Sequence, residues 1–293
     1  MPQPPRAIPL GAAGLVILGL TFQEVGASIA VLLFPTVGPA GMVSLRLVFS
    51  AALLLAIARP KLRGIPARSW VIVSLFGVAL GTMNLLFYES LSRIHLGTAV
   101  TIEVLGPLVL SVIVARRAAA WLWAALALAG VLLLGRGGFD DLDPIGVLFA
   151  IGAGACWAGY IIASRHTGGA FRGLDGLAIA MAIGAIITLP LGIAQAGTTL
   201  LQPQVLLFGA GVALLSSAIP YALELIALRR MPAAAFSVLM SCAPAIATAA
   251  GFVLLGQQIG WLQAAGMALV IAASIGAVRM APRRPPLAEA PLP

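Results

Sequence analysis

The chain has 293 residues, of which 61% are hydrophobic and only 9% are charged, and its formal net charge at pH 7 is +8. A soluble domain carries about 25% charged residues, and its interior cannot hold this much apolar surface. The composition therefore excludes an ordinary soluble protein and indicates an integral membrane protein. The basic residues stand at the ends of apolar runs and form no basic face with interleaved aromatics, which argues against nucleic-acid binding.

Charges, prolines and glycines interrupt the apolar sequence at intervals of about 20 residues, the length that a helix needs to cross the hydrocarbon core. The first apolar run is longer than the hydrophobic region of a signal peptide and lacks a small-residue cleavage pattern, so we expect it to remain as a membrane span. Ten spans are predicted, at residues 10–33, 40–58, 69–91, 96–115, 119–135, 144–164, 175–195, 203–227, 233–255 and 260–280.

Lysine and arginine are distributed unequally between alternate loops. With the N-terminus inside, all but three of the 17 basic residues fall in cytoplasmic segments. The exceptions are Arg93 and Arg136 on the opposite side and Arg46 within the second span. Short loops rich in basic residues stay in the cytoplasm, so we predict that both termini are cytoplasmic.

An internal repeat relates the two halves of the chain. At an offset of 137 residues, Leu91, Arg93 and Pro107 recur as Leu228, Arg230 and Pro244. This pairing gives five spans in residues 1–137 and five in 138–281, followed by a tail at 282–293 that we expect to be disordered. Because five is odd, the halves must enter the membrane from opposite sides. We predict an all-α membrane protein of two inverted repeats, a common plan for alternating-access transporters.

Ionisable side chains within a span need an explanation, because each costs at least about 2.5 kcal/mol near the bilayer centre. Four such residues lie inside predicted spans, and Glu89 lies toward the end of the third; the four are Glu24, Arg46, Glu103 and Glu224. One arginine cannot pair with every glutamate, so some glutamates should be neutral or face water. A glutamate that alternates between these forms gives a basis for proton coupling, for which Glu103, Glu224 and Glu24 are the candidates. The alternative is a structural ion pair with Arg46 or a side chain that reaches the interface.

Prolines interrupt three spans close to these residues. Pro107 follows Glu103 by one helical turn, Pro244 stands at the matching position of the second half, and Pro220 precedes Glu224 by four residues. Each proline removes a backbone donor, and paired interruptions in two repeats point to a transporter's central site. Prolines are also tolerated as simple kinks in membrane helices.

Polar and aromatic side chains in the same spans suit a small polar substrate. The predicted substrate site consists of Arg46, Asn84, Tyr88, Glu103, Trp157, Tyr160, Tyr221 and Glu224. For each aromatic or amide side chain the alternative is helix packing or a place at the membrane–water interface. The cysteines and histidines are isolated from one another, so we expect no disulfide, metal site or cofactor. No nucleophile with a neighbouring base is visible, which argues against an enzyme.

An ordered series of short motifs runs along nearly the whole chain. It comprises Gly26-Ala27-Ser28, Leu45-Arg46-Leu47, Gly81-Thr82-Met83-Asn84, Glu103 with Gly106-Pro107, residues 152–158, Pro220-Tyr221 with Leu223-Glu224, and Leu239-Met240-Ser241. The series resembles the drug/metabolite transporter superfamily of the EamA type, and within it the bacterial threonine and homoserine exporters. The resemblance implies a ten-helix inverted-repeat carrier in the bacterial inner membrane that exports amino acids or related metabolites in exchange for protons.

The sequence departs from that family at two places. Cys242 and Ala243 stand where the family has a glutamate before the proline of the ninth span, and Glu24 stands where it has glutamine. Loss of one acid and gain of another leave open which residue carries the proton and which substrate is preferred.

The leading hypothesis is a proton-linked exporter of small amino acids. In this reading Arg46 attracts the substrate carboxylate, and Glu103 or Glu224 receives the ammonium group or a proton. The alternatives are a carrier for drugs, amines or other metabolites, sodium in place of protons, and a membrane protein that transports nothing. The expected partners are a small-molecule substrate and the lipid bilayer, and the sequence leaves the oligomeric state open.

Overall fold

The computed structural model describes residues 10–115, 118–136, 143–171, 174–228, 230–231 and 233–280, and every regular element in these ranges is a helix. Seven helical stretches are long and apolar enough to cross a membrane, and Trp121–Leu134 and Trp261–Ala277 are shorter apolar helices. Large apolar side chains are exposed along them, as expected for a surface in contact with lipid. An all-α integral membrane protein is therefore confirmed. The predicted tail at 282–293 lies outside the described residues.

The helices follow one another along the chain with short connections. In order they are α1 (Leu10–Ala58), α2 (Ala67–Leu91), α3 (Leu96–Glu103), α4 (Leu105–Ala115), α5 (Ala118–Arg136), α6 (Pro144–Ala170), α7 (Asp175–Ala196), α8 (Pro203–Ala213), α9 (Ile219–Leu228), α10 (Ala233–Met240), α11 (Ala243–Leu255) and α12 (Trp261–Met280). A 3₁₀ turn at Gly197–Leu201 follows α7, and a π-helical turn at Leu214–Ala218 joins α8 to α9.

The first two predicted spans form one kinked element, α1, instead of two helices with a loop at 34–39. Only Gly38 leaves the helical conformation, with φ 69° and ψ 168°, and prolines 35 and 39 flank it. A positive φ suits glycine, which has no Cβ. The kink divides α1 into a first arm at 10–37 and a second arm at 39–58.

Three later spans are each divided into two helices near a proline. The breaks lie between α3 and α4, at the π-helical turn between α8 and α9, and between α10 and α11. Pro107, Pro220 and Pro244 lie in the helix that follows each break. A proline has no N–H to give to the carbonyl four residues earlier, so each break leaves a backbone acceptor free.

Helices of the N-terminal half pack mainly on helices of the C-terminal half. α1 lies against α7, α2 lies against α6 and α7, and α5 lies against α12. Small residues allow these close approaches: a Cβ at Gly81 of α2 would lie 2.9 Å from the Cα of Gly184 in α7. α1 also contacts α2, α8, α9 and α11, so its two arms run through the middle of the bundle. This central position places the ionisable residues of α1 beside both halves.

Candidate functional site

Arg46, in the second arm of α1, is the centre of a polar cluster. Its Nη1 donates to the Oη of Tyr88 on α2 at 3.3 Å, and its Nη2 donates to the carbonyl of Ser216 at 3.1 Å. The guanidinium also lies 5.6 Å from the centroid of the Tyr88 ring, a distance typical of a cation–π contact. Tyr88 is fully buried, while Arg46 keeps partial exposure. The arginine thus joins α1, α2 and the π-helical turn.

The Ser216 carbonyl is available to Arg46 because of Pro220. In an α-helix this carbonyl would accept from the N–H four residues later, but residue 220 is proline and has no N–H. The π-helical turn at Leu214–Ala218 displaces the backbone at the same place. Gly26 of α1 makes room for the turn, because a Cβ there would overlap the Ser216 side chain. A proline in the sequence therefore produces a polar partner for a charge on another helix.

Two carboxyl groups lie near Arg46 without forming an ion pair with it. Glu24, in the first arm of α1, is 1% exposed, and its Oε2 has no hydrogen-bond partner. Glu24 and Glu103 interact electrostatically with Arg46 and with each other. The Nε of Arg46 is likewise buried without a partner. One cation and two acids therefore share this region, and both the cation and Glu24 keep an unused polar atom.

Glu103 ends α3 at a point where two backbones touch. A Cβ at Gly154 of α6 would lie 2.6 Å from the Glu103 carbonyl oxygen, and a Cβ at Gly106 would overlap the Gly154 carbonyl. These two glycines allow the α3–α4 break to lie directly on α6. Glu103 keeps partial exposure in this setting. Contact of a charge with lipid is costly, so the exposed part indicates a polar space inside the bundle.

Glu224 belongs to a second polar group with Tyr160 and Tyr221. Tyr160 of α6 and Tyr221 of α9 both interact electrostatically with Glu224, and Tyr221 interacts with Arg46 as well. The Tyr160 ring packs against Phe76 of α2, with centroids 5.0 Å apart. Tyr221 therefore interacts with both Arg46 and Glu224.

Several other residues of the predicted site have local roles. The Asn84 side chain is buried and donates to the Leu80 carbonyl in its own helix at 2.9 Å. Trp157 packs against the apolar core, and Pro244 is buried in the first turn of α11. Glu89 lines a groove of about 400 Å³ at the end of α2. Among the described residues no three His, Cys, Asp or Glu side chains form a metal-binding group.

The polar partner that the sequence did not predict is the Ser216 carbonyl. A backbone acceptor has no side-chain signature, and the available signal was Pro220 placed four residues after it. Chemically, the cluster offers a guanidinium with a free N–H and a carboxyl group with a free oxygen. These groups are complementary to a carboxylate and an ammonium group, respectively.

Several known proteins similar to this chain are named as transporters or exporters. The model of the EamA-like transporter family matches residues 144–279. The threonine/homoserine exporter RhtA of Salmonella typhimurium strain LT2 is 37% identical over 292 residues, which cover 99% of each protein. RhtA of Escherichia coli strain K12 is 38% identical over 279 residues, 94% of each. The uncharacterized transporter YwfM of Bacillus subtilis strain 168 is 28% identical over 256 residues, which are 83% of this chain and 85% of YwfM.

A solved crystal structure has the same fold. It superposes with a TM-score of 0.58 at 20% sequence identity and covers 92% of this chain and 97% of the other. Identity at this level carries information about the fold alone.

Proposed function

Because the chain belongs to the EamA-like transporter family, within the drug/metabolite transporter superfamily, we propose that it exports a small amino acid such as threonine or homoserine. Two relatives that match nearly the whole chain are named threonine/homoserine exporters. The observation that carries the proposal is the state of Arg46. Neutral acceptors hold its guanidinium, so its charge is not neutralised by an ion pair and is available to a substrate carboxylate.

The amino group of the substrate has partners in the same cluster. Glu24 offers a buried oxygen without a partner, and Glu103 interacts electrostatically with both Glu24 and Arg46. An α-amino acid carries its two charges on one carbon, so a cation and an acid in one cluster suit it. A neutral drug would leave these charges uncompensated. A zwitterion satisfies both.

The transport cycle in this proposal is proton antiport by alternating access. Arg46 with both nearby glutamates ionised has a net charge of −1, and one bound proton brings the cluster to neutrality. Charge neutrality is strongly favoured away from water. The substrate zwitterion adds no net charge, so the exchange rests on competition: its ammonium group and the proton bind to the same glutamate, while its carboxylate binds to Arg46. Glu224, with Tyr160 and Tyr221, is the alternative proton carrier.

The same proposal includes the finer architecture. In it, ten spans form two inverted five-span repeats, and both termini lie in the cytoplasm of a bacterium. The cluster then lies between the two repeats. The helix breaks near Pro107 and Pro220 support this, since broken helices line the central sites of inverted-repeat carriers. Arg46 and Glu103 belong to the first repeat, and the Ser216 carbonyl belongs to the second.

The experiment is uptake of labelled threonine and homoserine into inside-out vesicles that contain the purified protein. We expect accumulation that depends on an imposed pH gradient, and we expect Arg46→Gln to reduce it by at least about tenfold, because a substrate carboxylate would lose its charged partner. Gln258→Leu, on the exposed surface, is the matched control. If correctly folded wild-type protein accumulates neither amino acid, the proposal is wrong, and a panel of amines and other metabolites becomes the next test.

A further inference from the structure

Two glutamine side chains of the C-terminal half cap helices of the N-terminal half. The Oε1 of Gln195, at the end of α7, accepts from the N–H of Ala40 at 2.8 Å and from that of Gly41 at 3.2 Å. The Oε1 of Gln257, which follows α11, accepts from the N–H of Leu96 at 3.0 Å. N–H groups in the first turn of a helix have no partner within the helix, so each glutamine satisfies donors that would otherwise be unpaired.

A glycine makes room for each of these glutamines. A Cβ at Gly38, which has a φ of 69°, would overlap the Gln195 side chain. A Cβ at Gly251 would lie 2.5 Å from the Oε1 of Gln257. The same combination of a glutamine, a glycine and a helix start therefore occurs twice. Each time the glutamine comes from one half and the capped helix from the other.

The two capped helices carry the charged residues of the central cluster. Gln195 caps the second arm of α1, in which Arg46 lies six residues after Ala40. Gln257 caps α3, which begins at Leu96 and ends at Glu103. At 1.5 Å per residue, each charge lies about 9–11 Å from its cap along a rigid helix. A displacement of either capped turn therefore moves the charge that its helix carries.

Both caps lie at the same end of the bundle. The loop before α3 is joined to the start of α6 by an ion pair of 3.0 Å between Arg93 and Asp143. The Arg93 guanidinium lies 5.7 Å from the centroid of the Phe149 ring. The groove of about 400 Å³ connects this region to the first cap, since it is lined by Ala40, Glu89, Phe149 and Gln195 among others. At this end, polar contacts hold the two halves together.

We propose that Gln195 and Gln257 are positioning residues that couple closure of this end of the bundle to the placement of Arg46 and Glu103. Separation of the halves at this end breaks both caps and releases the first turns of the two helices that carry the charges. Closure restores the caps and brings the guanidinium and the carboxyl group back into one cluster. The role in transport rests on the proposed function, whereas the coupling of caps to closure does not.

The first test measures the distance across this end and needs no substrate. Spin labels at Ser92→Cys and Thr198→Cys, both exposed positions, are placed in full-length protein whose Cys156 and Cys242 are replaced by alanine. The labels should show a short distance in the closed form and a long distance in the open form. We expect Gln195→Leu or Gln257→Leu to raise the ratio of open to closed populations about fivefold, the effect of losing one helix cap. The double variant should raise it about 25-fold, because the two caps share no residue and their free energies should add.

Gln258→Leu is the matched control, since Gln258 is exposed and adjoins Gln257. It should give the wild-type distances. A double variant with the same distances as wild type and Gln258→Leu would overturn the proposal.

The second test separates positioning from general stability. Gln195→Glu keeps an oxygen that can accept from Ala40 and Gly41, and a negative charge is favourable at a helix start. We expect Gln195→Leu to raise the threonine concentration for half-maximal uptake about fivefold and Gln195→Glu to restore it. Equal half-saturation in wild type and Gln195→Leu would refute a positioning role. If wild type transports no threonine, the proposed function fails, while the distance measurement still decides the coupling.

Discussion

Arg46 is held by neutral groups, although two glutamates interact with it. The Tyr88 hydroxyl and the Ser216 carbonyl take the places that a carboxylate would fill in a buried ion pair. An internal ion pair would neutralise the charge and compete with any anionic ligand. Hydrogen bonds to neutral acceptors orient the guanidinium and leave its charge in place. This is the arrangement expected of a residue that must bind and release a carboxylate.

Replacement of Glu103 tests the coupling of protons to transport. Glutamine keeps the shape of glutamate but cannot take up or release a proton. We expect Glu103→Gln to abolish the response of threonine uptake to a pH gradient, which means at least about a tenfold smaller gradient-driven increase. The reason is that one of the two interacting acids can no longer bind a proton. Exchange of labelled for unlabelled threonine without a gradient should persist, because it requires no net proton movement. Both quantities are measured in the same vesicles.

Glu89→Gln is the control for this substitution. Glu89 lies in the groove at the end of α2 and interacts with Arg93. It should leave both the gradient response and the exchange unchanged. If Glu103→Gln still responds to the gradient as wild type does, Glu103 is not the proton carrier, and Glu24 and Glu224 remain to be tested in the same way.

At the residue scale, sequence reasoning identified the charges and Tyr88 but missed the Ser216 carbonyl and the two glutamine caps. Glu24, Arg46 and Glu103 were found because ionisable side chains in a membrane span are costly. Gln195 and Gln257 were not, since an uncharged side chain at the end of a span has no evident cost. Their role depends on backbone N–H groups more than 150 residues away, which no local pattern encodes.

Broken helices are the common feature at the scale of elements. Prolines in the sequence predicted interruptions in three spans, and the structure has a break before each of Pro107, Pro220 and Pro244. The use of the freed carbonyls could not be predicted, because it depends on which helix packs beside each break. Near Pro220 a charged residue is the neighbour, whereas near Pro107 the neighbour is Gly154.

Pro220→Ala tests whether the freed carbonyl matters. Alanine supplies an N–H at position 220 that competes with Arg46 for the Ser216 carbonyl. Losing one hydrogen bond that orients the guanidinium costs roughly 1 kcal/mol, so we expect about a fivefold rise in the threonine concentration for half-maximal uptake. Pro190→Ala, at an exposed position inside α7, is the control and should have no effect on this concentration. An unchanged half-saturation in Pro220→Ala would show that the carbonyl does not position Arg46.

At the scale of the whole molecule, composition was sufficient for the class of protein. The apolar sequence predicted an all-α membrane protein, and the motif series predicted a member of the EamA-type transporters; both predictions are confirmed. The inverted relation of the halves and the cytoplasmic location of the termini stay predictions. They depend on the direction of the chain relative to a membrane, which loop charges indicate but helix packing alone does not fix.

The ion pair between the halves makes the stability of the folded protein depend on pH. The Arg93 guanidinium, which donates to Asp143, holds the pKa of that carboxyl below its ordinary value of 3.8. Because the pKa is lowered in the folded protein, the pair stabilises the fold at pH values above the ordinary pKa. This contribution is lost as the pH falls through the lowered pKa. Asp143→Asn should therefore slightly lower the Tm at pH 7 and converge with wild type in strong acid.

Asparagine is a suitable replacement because Asp143 also caps α6, accepting from the Ile145 N–H at 2.8 Å. Asparagine caps helices about as well as aspartate, so the substitution removes the charge and keeps the cap. The melting curves are recorded in detergent at a series of pH values. A constant Tm difference at every pH would mean that the charge of Asp143 makes no contribution.

Calorimetric titration of the purified protein measures whether the Arg46 cluster recognises a zwitterion. The ligands are threonine, threoninol, which lacks the carboxylate, and N-acetylthreonine, which lacks the ammonium charge. We predict that both analogues bind at least about tenfold more weakly than threonine, because each leaves one charged group of the cluster without its partner. If threoninol binds as tightly as threonine, Arg46 has no part in recognition and the proposed substrate site is wrong.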